Sequence, residues 1–487
     1  MTRLFALVSY AYQSVVAIAL IFAVSHILAP AAYTAFSLAV ASSQLLCVLM
    51  FEWLQLAGVR FLAPARGGDA ARLRWSLLVG AGMSAVGLLL VGGLAGLASP
   101  LSPALVVIGL ALAILQGFAD LQFMMVRVAG RLGAASLLMI VRASLLLVGG
   151  VAGAFRGDAA PALLGLACAQ GIGLVLGWLA HASSLQIAPR DLLKTHLAGF
   201  CRYGMVAAGA SVIHLSVPVM LRFLVIGRIG DSGLASAGFS MALDVLQRPF
   251  NVLVAAIHTV NYPDVVIQFE HGTKESARTT AARLFEFEIC STALMLGGII
   301  AFLPDAGRLF VPGGILPSFL LTAPAATAFY FLHTQLQTTV AVVPHLQKSA
   351  LRLVVIATFQ LLATAAIAAS ALALGATPAE TIALAACATA SIILLAGKPT
   401  LQFGATPRPL LMGVTAAGTT LIGALSALPS YSLAWLLGKV ALAGILTAII
   451  AWQGDLLMTG KRRSASHPDD NDRQGASLSA PRAPEIP

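Results

Sequence analysis

The sequence is a succession of apolar runs, about fourteen of them, each long enough to cross a bilayer as a helix. They fall at about 4–28, 33–62, 75–98, 103–127, 134–155, 159–183, 203–228, 233–262, 284–304, 316–341, 351–374, 379–397, 409–428 and 432–458. In hydrocarbon every backbone N–H and C=O has to be satisfied inside the spanning unit, which leaves helices and closed barrels. Barrel strands would alternate polar and apolar residues, and these runs do not. The expected fold class is therefore an all-α polytopic membrane protein. Composition agrees: 59% of residues are hydrophobic, 10% are charged and the mean hydropathy is +0.91. A soluble domain carries about 25% charged residues.

Basic residues fix the expected orientation. With the amino terminus in the cytoplasm, the inside segments hold 22 of the 29 Lys and Arg, and the outside loops hold only Arg156, Arg228 and Arg308. Both termini are then cytoplasmic. The net charge of +10 follows from topology and is not a nucleic-acid signature. The first apolar run is too long for a cleavable signal, and no cleavage site follows it. The external connections are short, so no soluble catalytic domain fits outside. The five cysteines are scattered without CxxC or Cys/His spacing, so neither metal nor cofactor is expected. The GKPT at Gly397 lacks the upstream glycine of a phosphate loop. The polar, Pro- and Ser-rich stretch 461–487 reads as a disordered cytoplasmic tail.

An internal repeat sets the expected domains. HILAPAAYTAFSLAVASSQLL before the second span resembles GRIGDSGLASAGFSMALDVLQ before the eighth, and aligns Phe36 with Phe239, Ser37 with Ser240 and Gln44 with Gln247. Two pseudo-repeated six-helix lobes follow, spans 1–6 in 1–200 and spans 7–12 in 201–400, with spans 13 and 14 appended in 401–460. Duplicated bundles in transporters surround a site near the bilayer midplane.

The eighth run, Phe239–Tyr262, carries Asp244, Gln247, Arg248, Asn251 and His258 on one side of a helix, opposite Leu, Val, Ile and Phe. Each charge facing lipid would cost about 2.5–3.5 kcal/mol, so the stripe has to face protein or a water-filled cavity. Asp244 and Arg248, at i and i+4, can neutralise one another as a structural pair. Alternatively, the stripe lines a substrate path, and its length favours this. Pro249 removes a backbone donor and is expected to kink the helix. The paired glycines Gly149/Gly153 and Gly173/Gly177 read as close-packing sites.

Several stretches together resemble the polysaccharide flippases (Wzx type) of the multidrug, oligosaccharidyl-lipid and polysaccharide (MOP) exporter superfamily. They are FEWLQLAGVRFLAP, RVAGRLGAASLLMIVRASLLL, FCRYGMVAAGAS, LRFLVIGRIGDSGLASAGFS and, most specifically, LDVLQRPFNVLVAAIHTVNYPDVVIQFE. The resemblance covers spans 1 to 12 and loosely 13 and 14. The chain departs from the pattern at Leu221, where relatives often have an acidic residue before the arginine, and at Met205–Val206, where proline is common.

The resemblance implies a two-lobed, non-enzymatic transporter in the bacterial inner membrane that flips a polyprenyl-pyrophosphate-linked oligosaccharide for surface polysaccharide biosynthesis. No catalytic residue or cofactor is implied. The implied partners are the lipid-linked oligosaccharide, membrane lipids and polysaccharide polymerase or assembly proteins. A pyrophosphate asks for guanidinium, which is planar, bidentate and always charged. Arg248, Arg222 and Arg142 are the candidates, with Asp244, Asn251, Gln247 and Gln44 as polar neighbours. Arg222 and Arg142 also lie within snorkelling reach of a membrane face. Glu52, Asp120 and His258 are candidates for ion or proton coupling, because an unpaired intramembrane carboxylate is costly. The rival readings are a cation-coupled multidrug antiporter of the same superfamily, a membrane-bound polysaccharide polymerase or ligase, and an inactive assembly scaffold.

Overall fold

The computed structural model describes residues 2–453, apart from 66, 98, 100, 181–183, 231–232, 348, 399–402, 429 and 431. The tail at 461–487 lies outside the described residues. Among the described residues, fifteen α-helices account for the fold. They are α1 (Thr2–Ile27), α2 (Pro30–Leu62), α3 (Gly67–Leu97), α4 (Pro103–Val128), α5 (Leu132–Ala154), α6 (Ala159–Ala180), α7 (Arg190–Ile229), α8 (Leu234–His271), α9 (Lys274–Phe310), α10 (Leu316–Gln337), α11 (Thr339–Leu346), α12 (Ala350–Ala373), α13 (Pro378–Ala396), α14 (Pro409–Ala424) and α15 (Leu433–Gln453). Twelve of them are long and apolar enough to cross a membrane by composition. Helices α8 and α10 are also of spanning length, 38 and 22 residues, but carry more polar side chains. Those fourteen correspond to the fourteen apolar runs.

The short α11 was not anticipated as a separate element. It continues the tenth run after a break at Thr338, where φ is −115° and ψ −71°. Helices α7, α8 and α9 span 40, 38 and 37 residues, roughly twice the ~20 that cross hydrocarbon. Their surplus lies at the end rich in Arg190, Lys194, Lys274 and Arg278. The helix α8 runs unbroken through Pro249. Large side chains such as Leu97, Leu374, Leu394 and Leu410 are almost fully exposed, as lipid contact requires of a chain with this hydropathy.

Packing follows residue size. Helices α5 and α6 meet at Gly149, Gly153 and Gly165, where an added Cβ would run into the facing backbone. This is the small-residue contact that lets membrane helices approach closely. Gly177 packs in the same way against the Gln122 side chain. Gly130 and Gly157, both at φ 79°, turn the chain between α4 and α5 and between α5 and α6, in a conformation that side-chain-bearing residues seldom adopt.

Helices α1, α2, α4, α5 and α6 pack on one another, as do α7 with α12, α12 with α13, α13 with α10, and α10 with α8. The two halves meet where α2 packs along α7 and α8, and where α1 packs on α8. The hairpin α14–α15 hangs on α9. Buried apolar residues from both halves form one continuous core that includes Tyr33, Phe36, Leu221, Phe239, Phe250 and Phe329. Phe36 and Phe239, aligned by the sequence repeat, are 5% and 0% exposed.

Candidate functional site: a polar cavity between the two halves

Three helices converge at the centre of this junction. Arg222 arrives on α7, Asp244 on α8, and Tyr33 and Ser37 on α2. The Arg222 guanidinium donates from Nη1 to Asp244 Oδ1 and, at 2.9 Å, to Ser37 Oγ. Asp244 Oδ2 accepts from the Ser37 hydroxyl at 2.7 Å and from the Tyr33 hydroxyl at 3.1 Å. The Arg222 side chain is 4% exposed and that of Asp244 16%. Both charges are therefore compensated and hydrogen-bonded, as a low-dielectric setting demands. The i,i+4 pair expected between Asp244 and Arg248 does not form. Asp244 turns to Arg222, because two hydroxyls from α2 orient its carboxylate toward the α2–α7 seam.

This leaves Arg248 over. It lines a small cavity with Gln44, Pro218, Arg222, Asp244 and Gln247. Arg248 is half-buried and has no hydrogen bond or ion pair with any described residue. About 20 Å³ of the cavity is open to water centres, room for about one molecule. Helices α2 and α7 pack along one another beside it and meet at the Arg222–Ser37 contact. Toward the basic end, Gly204 lies against the Trp53 backbone, Arg60 sits 4.7 Å over the Tyr203 ring, and Phe61 meets Phe200 at 5.5 Å. Gly204 is needed there, since a Cβ would collide with the Trp53 carbonyl.

The other candidates separate from this cavity. Asn251 is exposed and does not line it. Arg142 belongs to a second cavity within the first half. Its Nη1 lies 2.5 Å from Asp120 Oδ1, and its Nε donates to Gln170 Oε1 at 3.0 Å. Tyr10, Gln13, Gln122 and Phe123 complete that wall. Asp120 is thus paired, and Glu52 on α2 is half-buried within electrostatic range of it. His258 lies 3.4 Å from Glu288 Oε2 on α9 and stacks on Tyr262.

Three further polar clusters lie outside the candidate residues, although His214 and Lys439 stand out within apolar runs, and His214 makes the interhelical hydrogen bond expected of a lone membrane histidine. Glu286 takes both the backbone N–H and the guanidinium of Arg408 at the start of α14, at 2.7–2.9 Å. Lys439 on α15 binds Asp305 on α9 at 2.8 Å. In the second half, His214 Nδ1–H donates to Gln360 Oε1 at 2.8 Å, and the Gln360 amide donates to His333 Nδ1 at 2.9 Å. The available signal was a charge or histidine inside an apolar run, at Glu286, His333 and Lys439, with Asp305 just past the end of one. Among the described residues no group of three His, Cys, Asp or Glu is placed to hold a metal ion.

No family model matches the sequence, and no curated protein matches it either. Solved structures do. The chain is similar to the lipid II flippase MurJ in an inward closed conformation, with a TM-score of 0.71 at 11% identity over 93% of this chain and 99% of that one. It is similar to an inward-facing multidrug resistance MATE family transporter of the MOP superfamily, with a TM-score of 0.64 at 13% identity over 82% and 96%. A MOP superfamily transporter from Pyrococcus furiosus gives 0.59 at 12% identity over 82% and 94%. The chain is a multi-pass all-helical membrane protein with the fold of MOP superfamily transporters.

Proposed function

We propose that this protein flips a polyprenyl-pyrophosphate-linked oligosaccharide from the cytoplasmic to the outer leaflet of the bacterial inner membrane, for surface polysaccharide biosynthesis. The observation that carries the reading is Arg248: a cation facing a small cavity between the two halves, with no protein counter-charge of its own. Asp244 is already held by Arg222, Ser37 and Tyr33, so the cavity keeps a net positive site. Such a site suits a pyrophosphate, and Gln44 and Gln247 add amide partners for phosphate or sugar hydroxyls. It suits a cationic drug poorly.

The cavity is far too small for such a cargo in this state. Transport on this reading needs α2 and α7 to part alternately at the Gly204–Trp53 end and at the Arg222–Ser37 end. The lobes 1–200 and 201–400 rock about the site, and 401–460 serves the polyprenyl tail. The protein catalyses no covalent step, and both termini face the cytoplasm.

The test is a deletion strain complemented with wild type or Arg248→Ala, with protein levels matched. Lipid-linked repeat units should accumulate and surface polymer should disappear in the Arg248→Ala strain. Normal surface polysaccharide with raised sensitivity to cationic dyes in the deletion strain would replace this reading with a multidrug antiporter.

A further inference from the structure

The helix interiors contain several charges, and most are matched across helices: Arg222 with Asp244, Arg142 with Asp120, Lys439 with Asp305 and Arg408 with Glu286. Glu288 breaks the pattern. Its side chain is 0% exposed, and its Oε1 is buried without a hydrogen-bond partner. Its Oε2 faces His258 Nε2 at 3.4 Å, longer than an ordinary hydrogen bond. The Glu286–Phe287–Glu288 spacing explains how this arises. Residues two apart on a helix point about 200° away from one another, so Glu286 turns to Arg408 and Glu288 turns to α8.

A desolvated carboxylate costs several kcal/mol unless a positive charge or a proton compensates it. No arginine or lysine is in contact with Glu288 among the described residues, so a proton is the remaining source. The geometry points to Glu288 and His258 as a proton-binding site that latches α8 to α9. With one proton the pair is either imidazolium and carboxylate or imidazole and carboxylic acid. The proton passes between His258 Nε2 and Glu288 Oε2, and the net charge stays zero. A second proton leaves imidazolium beside a neutral acid, and the attraction is lost.

The His258 side chain is 27% exposed, so protons reach the buried acid through the imidazole. The remaining groups that face the pair are few. On α8 itself Tyr262 stacks on His258 with ring centroids 5.6 Å apart. On α9 Glu286 is turned away and held by Arg408, at the start of α14. From α10 the Gln335 amide donates to Thr292, one turn beyond Glu288. From α11 His345 lies within electrostatic reach of His258. The latch sits about three turns along α8 from Arg248, so proton occupancy acts on the helix that carries the unpaired cation. This inference rests on the pair's geometry and holds for any cargo.

Infrared difference spectra of the full-length protein in lipid nanodiscs, taken between acid and alkaline buffer in H2O and D2O, test it. Wild type should show a deuteration-sensitive C=O band of a protonated carboxyl that Glu288→Gln removes. His258→Gln should change the pH dependence of that band, because the group that shares its proton is gone. Arg248→Ala should keep both band and pH dependence, which separates this test from the cargo reading. A band that persists unchanged in Glu288→Gln, or a pH dependence that stays the same in His258→Gln, overturns the proposal. If Glu288→Gln does not fold, the His258→Gln pH profile decides alone.

Discussion

Removing Asp244 strands a buried guanidinium. In Asp244→Ala the Arg222 side chain, 4% exposed, loses its carboxylate and is left with neutral hydroxyls such as that of Ser37. Breaking a buried pair from one side costs about 3–5 kcal/mol. Arg222→Met is expected to cost less, because Asp244 retains the Ser37 and Tyr33 hydroxyls as donors and is 16% exposed. In the double variant no charge is stranded. What remains is the Tyr33 hydroxyl, 1% exposed as a residue and short of its acceptor, worth about 1–3 kcal/mol. The double variant should therefore be more stable than Asp244→Ala alone, with a coupling energy of roughly 2–4 kcal/mol. The assay is reversible SDS unfolding of the purified protein in mixed micelles, followed by the fluorescence of its five tryptophans. Additivity of the two single costs to within about 0.5 kcal/mol would refute the reasoning, and so would an Arg222→Met variant as damaged as Asp244→Ala.

Gly204→Val should push α2 from α7 at Trp53 and lower the yield of disulfide cross-links engineered between those helices. Gly153→Val should destabilise the α5–α6 contact by about 1–3 kcal/mol in the same unfolding assay, whereas Gly157, which meets nothing, matters only through its φ of 79°. Asp305→Ala leaves Lys439, 5% exposed as a side chain, without its carboxylate, and should expose α15 to limited proteolysis, with Asp305→Ala/Lys439→Met resisting better. Gln360→Leu deprives His214 and His333 of a shared partner and should cost about 2–4 kcal/mol, measured by thermal unfolding in detergent.

The polar stripe on α8 was legible because a charge in an apolar run can only face protein or water. Which partner each charge takes was not. Asp244 and Arg248 are neighbours by spacing, yet the carboxylate goes to Arg222, because Tyr33 and Ser37 of α2 approach from that side. Asn251 shares the stripe but falls outside the cavity, since α8 borders it over only part of its length. Arg142 was grouped with the central arginines by resemblance, and the fold gives it to Asp120 and Gln170 instead. Leu221, where the pattern it resembles often has an acid, does not deprive Arg222 of a partner, because Asp244 supplies one from the next helix.

By itself the sequence determined that this chain crosses a membrane as helices, which runs form them, and that several charges had to be hidden from lipid. Those follow from local physics: the length of an apolar run, the price of a bare backbone in hydrocarbon and the angular period of a helix. Only the tertiary structure decided that Arg222 is neutralised while Arg248 is not, and that Glu286 has an arginine while Glu288 has a histidine. Counter-charges are matched between helices far apart in sequence, and which faces meet is set by close packing at residues such as Gly149, Gly153 and Gly204.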